Sequence, residues 1–118
     1  MKKIYLLILA AFLTFSFGCK KVENPTNENS PWLERLIEHF ENSTVGDPPQ
    51  SIWQYEYNGD IVYYIPPQCC DQFSVLLSSD STVICAPDGG IAAMGDGRCD
   101  DFFQKCKDKK LIWQDDRK

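Results

Sequence analysis

Histidine is almost missing from this 118-residue chain, His39 being the only one, so neither an imidazole relay nor a histidine-rich zinc site can be assembled from it. At the edge of an apolar arc, His39 is expected to be a boundary residue. The chain also lacks Gly-x-Ser-x-Gly, a glycine-rich phosphate loop and His-Glu-x-x-His, which removes the common hydrolase, nucleotide and zinc-protease patterns. Basic residues are short as well, 12 Lys and Arg against 17 Asp and Glu. That balance argues against a nucleic-acid partner or a polybasic membrane helix. No catalytic residue, resident metal or cofactor is nominated by the sequence.

What the chain does have begins at its N-terminus, where Lys2-Lys3 precedes an apolar run over residues 4–17. The run has the form of a secretory signal and is too short for a confident permanent span. It ends Ser16-Phe17-Gly18-Cys19, similar to a bacterial lipobox except that Ser16 stands where an aliphatic residue is usual. Residues 1–18 are therefore expected to be removed and Cys19 to carry lipid. The alternative is ordinary cleavage near Gly18, leaving a free N-terminal cysteine. Several acyl chains would anchor stably, each buried methylene contributing about 0.8 kcal/mol. Loss of Lys2 and Lys3 takes the formal charge from −5 to −7. Residues 19–31 then read as the lipidated cysteine and a polar, flexible tether.

Residues 32–118 make one small domain, of a size that is marginal without staples. Five cysteines remain to it: Cys69, Cys70, Cys85, Cys99 and Cys106. In an exported chain these read first as disulfides, with one thiol left over.

Ser30-Pro31 opens a helix as N-cap and first residue, and Trp32, Leu33, Leu36, Ile37 and Phe40 share one arc of it. Residues 51–65 read as a β-hairpin turning at Asn58-Gly59. The register pairs Tyr57 with Asp60, Tyr55 with Val62 and Trp53 with Tyr64 on one face. Gln54 with Tyr63 and Glu56 with Ile61 fall on the other. The aromatic face is expected to be core, with a ligand platform as the alternative. Pro66-Pro67 ends the hairpin, and residues 73–86 form a second one around Ser78-Ser79-Asp80-Ser81. Counting across that turn sets Cys85 opposite Ser74, on the side to which Cys70 points. The favoured bridges are then Cys70 to Cys85 and Cys69 to Cys99.

Residues 87–98 are too glycine-rich for regular structure and lack the Asp-x-Asp-x-Asp-Gly pattern of an EF-hand, so Asp88 and Asp96 are expected to form turns. Cys99, Phe102, Phe103 and Cys106 recur at helical spacing, with Asp100 and Asp101 early and Lys105, Lys107, Lys109 and Lys110 late. On such a helix Cys99 and Cys106 stand about 10 Å apart along the axis and cannot bridge. Cys106 is the candidate free thiol. Leu111-Ile112-Trp113 closes the sheet as a last short strand, followed by a polar tail. The fold expected is α+β, an N-terminal helix on a small antiparallel sheet of four to five strands with a short C-terminal helix, disulfide-stapled.

Together, Trp32-Leu33-Glu34, Tyr55-Glu56-Tyr57-Asn58-Gly59, Val62-Tyr63-Tyr64-Ile65-Pro66 and Cys69-Cys70-Asp71 carry a resemblance. Ile84-Cys85-Ala86-Pro87-Asp88-Gly89-Gly90, Gly95-Asp96-Gly97 with Cys99, and Leu111-Ile112-Trp113 extend it across the domain. The chain resembles a family of small lipoprotein domains of uncharacterised function found mainly in Bacteroidota. The resemblance implies an envelope lipoprotein and supplies no activity.

The functional expectation is a non-enzymatic binding or interaction module, inhibitor-like in the sense of presenting a held loop. Its contacts are Asp88, Gly89, Gly90, Asp96 and Gly97, with exposed aromatics. Its partners are the membrane, through the N-terminal lipid, and an envelope protein or ligand. Lys20-Lys21-Val22-Glu23 lacks the acidic run that cues surface export, which favours the periplasmic side of the outer membrane. Two other classes stay open. One is thiol and disulfide exchange at Cys106 or a Cys69-Cys70 bridge, although that pair is not Cys-x-x-Cys. The other is metal binding by the cysteines or aspartates.

Overall fold

The computed structural model describes residues 30–69 and 71–117. The expected signal segment, Cys19, most of the tether and Cys70 lie outside the described residues. Helix α1 (Pro31–Glu41) is followed by strands β1 (Ser51–Tyr57), β2 (Asp60–Ile65), β3 (Val75–Ser78) and β4 (Val83–Cys85). Helix α2 (Phe102–Lys105) and strand β5 (Lys107–Gln114) complete the order. One antiparallel sheet results, with strands in the order β4-β3-β2-β1-β5.

Local chemistry accounts for the first elements. Ser30 is extended, with φ −70° and ψ 137°, and Pro31 occupies the first helical turn, where its missing N–H has no partner to lose. Asn58 and Gly59 both take positive φ, 52° and 85°, as the two-residue turn matching strand twist requires. The register from Trp53–Tyr64 to Tyr57–Asp60 is the expected one.

The two faces of the sheet hold separate cores. Ile52, Tyr63 and Leu77 face α1, whose Leu33 is fully buried against them. Trp32 meets Tyr63 edge-on at 5.3 Å between centroids, and Phe40 stacks on Trp113 at 5.8 Å. The opposite face carries Tyr55, Val62, Tyr64, Leu76 and Cys85, covered by Cys99 and Phe102. The aromatic face of the first hairpin is thus core, as expected, and its cover is the connection from β4 to β5.

That connection follows from the strand order. The β1–β2 and β3–β4 turns lie at one end of the sheet, here the turn end, because the strands are antiparallel. Strand β4 finishes at the other end, whereas β5 begins at the turn end, where Lys107 pairs with Glu56. Residues 86–106 must therefore cross the aromatic face diagonally, from one edge strand to the other. Helix α1 starts at the turn end too, where the Trp32 indole N–H donates to the Ser79 carbonyl at 3.0 Å.

Three expectations are corrected. Cys85 stands opposite Leu76, not Ser74, because Ser78 meets Thr82 across the turn, one step from the counted register, and a bulge between Leu76 and Leu77 adds a second step by putting an extra residue, Ile84, into β4. Cys85 bridges Cys99, with Cα atoms 6.1 Å apart, so neither Cys70 to Cys85 nor Cys69 to Cys99 forms. Cys69 is also disulfide-bonded, and Cys106 is a free thiol. Third, the helix pattern over residues 99–106 yields only the four residues of α2. Lys107, Lys109 and Lys110 belong instead to β5, where the unpaired edge of β1 supplies ladder partners that outweigh helix propensity. Charged side chains on this edge discourage further strand pairing.

The tail is not simply polar. Asp115 is buried, its N–H donates to the Gln50 carbonyl at 2.8 Å, and its carboxylate takes the Arg117 guanidinium at 2.7 Å. Arg117 also donates to the carbonyls of Phe40 and Glu41 at 2.9 and 2.7 Å, satisfying the open end of α1. Hydrogen bonds from Arg117, joined by its charge, hold the Asp115 carboxyl below the usual carboxylate range against the opposing push of burial. A depressed folded value means stability that is complete above the unfolded value, about 3.9, and drains as pH falls through the folded one. Asp115→Asn is expected to be less stable at pH 7. In denaturant melts, its stability should fall less than that of the native chain between pH 4 and pH 2.

Candidate functional site

The connection after β4 builds a loop whose backbone is pinned from within. The Ser74 hydroxyl donates to the Asp88 carbonyl at 3.0 Å, and the Asp88 N–H donates to the Ser74 oxygen at 3.1 Å. The Tyr64 hydroxyl donates to the Asp88 carboxylate at 2.8 and 3.0 Å. Burial first, and this hydrogen bond second, push the Tyr64 phenol well above its ordinary value, so it remains a donor. Asp88 therefore ties the loop to the last, turn-distal residues of β2.

Glycines allow the close approaches that follow. Gly95 has φ +69°, and a Cβ there would sit 2.1 Å from the Ala86 carbonyl oxygen. At Gly89 a Cβ would meet the Gln72 carbonyl oxygen at 2.3 Å. Neither position accepts a side chain without displacing backbone. Gly89 bridges Phe73 on one side and Met94 on the other, and Gly90 is buried under the Phe73 ring. Asp96 turns back on its own strand of chain. Its carboxylate accepts the Arg98 N–H at 3.0 Å and pairs with the Arg98 guanidinium at 2.7 Å, and these contacts hold it below the usual carboxylate range.

The polar residues nominated from sequence are thus placed unevenly. Asp88, Gly89 and Gly90 shape the loop from inside, Asp96 is engaged by Arg98, and Gly97 is exposed at φ +78° with open space around it. The loop's outer surface is apolar instead. Ile91 is 91% exposed, Met94 74% and Phe73 55%. Asp71, Phe73, Gly90, Ile91 and Ala92 line a shallow depression there. Reasoning from motifs alone passed over Ile91, Met94 and Phe73. For Ile91 and Met94 the signal was present, since apolar side chains inside a glycine-rich loop too short to fold back have nowhere to be buried, whereas Phe73, expected in the second hairpin, lies just before β3 and only bridges Gly89.

Cys106 lies elsewhere, half-buried at the end of α2 and packed against the Tyr55, Cys85 and Cys99 cluster. His39 is exposed on α1, 6.0 Å from the Phe40 ring. Among the described residues, no group of three or more His, Cys, Asp or Glu side chains is arranged to hold a metal ion.

Sheet, crossing segment and pinned loop define a small disulfide-bridged α+β domain that displays an apolar loop. The chain belongs to the family DUF6970, a domain of unknown function, which matches residues 38–115. The match begins inside α1 and runs through the buried Asp115. No curated protein and no solved structure matches the chain.

Proposed function

We propose that the chain is a non-enzymatic interaction module of the cell envelope. In this proposal it is anchored by lipid at Cys19 to the outer membrane, on the periplasmic side, and contacts a partner protein through the loop surface of Phe73, Ile91 and Met94. The observation that carries it is the exposure of Ile91 and Met94 on a loop fixed by Asp88, Gly89 and Gly95, with exposed Phe73 bridged to that loop at Gly89. A rigid apolar projection loses little conformational entropy on binding, and apolar residues so arranged mark contact surfaces. Sheet geometry supports the same orientation. Helix α1 begins at the turn end and the loop lies at the opposite end, beyond the 7 residues of β1, which span about 23 Å. A domain tethered at its N-terminus would then present the loop away from the membrane.

Site-specific photo-crosslinking in intact cells provides the test. A crosslinker at exposed Ala92, beside Ile91 on the loop, is expected to capture a discrete partner that one at exposed Glu34, on α1, does not. The double variant Ile91→Asp/Met94→Asp should lower that capture at least tenfold without shifting the melting temperature, because neither side chain is buried. Equal capture from both positions, or capture unaffected by the double variant, would sink the loop assignment.

A further inference from the structure

A second surface follows from the diagonal course of residues 86–106. The crossing segment covers the loop end of β4 and the turn end of β1, which leaves the turn end of β2, β3 and β4 open on the aromatic face. A groove of about 750 Å³ lies there. Tyr57, Val62 and Ile84 give it an apolar wall and floor, while Asp60, at the start of β2 just after one turn, and Asp80, in the other turn, close it.

Charge is one-sided in this groove. No lysine or arginine is among its lining residues. The nearest basic group on the crossing segment, Lys105, is held by Asp101 at 2.8 Å, and Asp101 also accepts the Tyr57 hydroxyl at 2.6 Å. Asp80 accepts hydrogen bonds from the Ser78 hydroxyl and, at 3.2 Å, the Thr82 N–H, which keep its carboxyl below the usual range and hence charged. Asp60 is exposed at the other turn. An anionic ligand would be repelled, and a neutral one would desolvate carboxylates without compensation. An alkyl stem ending in a cation meets both requirements, since basic side chains lay methylenes along apolar surface while keeping their charge at a polar rim.

We propose that this groove receives a lysine or arginine side chain of a partner polypeptide, its stem against Tyr57, Val62 and Ile84 and its charge between Asp60 and Asp80. The site is separate from the Phe73, Ile91 and Met94 surface, at the other end of the sheet, and does not depend on it.

Amide chemical shifts of the full chain, titrated with acetyl-Gly-Lys-Gly-amide and with the same peptide acetylated on the lysine Nζ, test the assignment. The unmodified peptide is expected to give saturable shifts in residues 57–62 and 78–84, with a dissociation constant on the order of millimolar. Acetylation should weaken binding about tenfold, Asp60→Asn roughly threefold, and an increase to 1 M salt should weaken it further. Thr82→Trp, on the exposed rim, should block the groove if Asp60→Asn disturbs its turn. Equal shifts from both peptides, or no saturable shift up to about 10 mM, would overturn the proposal. So would groove shifts that arise on concentrating the protein alone and vanish in Lys109→Ala, because the occupant would then be a second copy using its β5 lysines.

Discussion

Phe102→Ala is expected to lower the unfolding free energy by about 3–5 kcal/mol, the largest effect of any single truncation in the domain. Phe102 is fully buried, and its ring lies 5.3 Å from both Tyr55 and Tyr57, 5.9 Å from Tyr64 and 5.0 Å from Phe103. It is the main apolar side chain that the crossing segment inserts into the aromatic face. Removing it leaves a cavity under a four-residue helix and uncovers tyrosines from three directions. The surrounding rings are stiff and β1 and β2 are held by their ladder, so little collapse can fill the space. Chemical denaturation followed by aromatic fluorescence and far-ultraviolet circular dichroism measures the loss. Phe103→Ala is the control, since that ring is 50% exposed and should lose less than half as much. Similar losses for the two variants would mean that the crossing segment does not plug the face.

Removing the Cys85 to Cys99 bridge, as Cys85→Ala/Cys99→Ala, is expected to destabilise the domain by roughly 3 kcal/mol, the loop-closure contribution for a loop of this length. The two residues are 14 apart in sequence, and both are buried in the aromatic-face core. The bridge closes the loop that carries Ile91 and Met94, and it also fastens the three-residue edge strand β4 to the crossing segment. Hydrogen exchange should therefore show the loss unevenly, with residues 83–99 opening well before β1 and β2. A uniform acceleration across the sheet would mean that the bridge acts on the whole domain alone. Under native conditions an alkylating agent should reach neither sulfur, whereas half-buried Cys106 should label slowly without reductant.

Much of the first hairpin was legible because its information is local. Asn58-Gly59 has few backbone options, and once the turn is set, a period of two sends each side chain to a definite face. The apolar arc of α1 was legible for the same reason, as was the need of both faces for cover. The second hairpin was not read correctly, since the turn pairs Ser78 with Thr82 and a bulge at Ile84 follows, each moving the opposition of Cys85 by one step that no turn residue announces. The face of Cys85 was nonetheless the expected one, and the disulfide choice failed because its partner, Cys99, is brought over that face by the crossing segment, a contact that spacing does not record. The candidate site was half legible. Its glycines marked a loop of unusual backbone, but the acidic residues that drew attention are bound internally, and the apolar tips are what remain outside.

Sequence by itself determined the periodic elements, the turn at Asn58-Gly59, the acidic balance and the odd number of cysteines after Cys19. The tertiary structure decided the rest: Cys85 with Cys99, the lysines of β5 in a strand instead of a helix, the Asp115 and Arg117 clamp on α1, and the diagonal crossing. Each of these depends on groups far apart in the chain satisfying one another, a sheet edge needing hydrogen bonds, a helix end needing donors, an aromatic face needing a lid. Spacing along a chain records what a segment prefers alone. Which preference yields is settled only when the unsatisfied edges, ends and faces of the whole domain compete for the same residues.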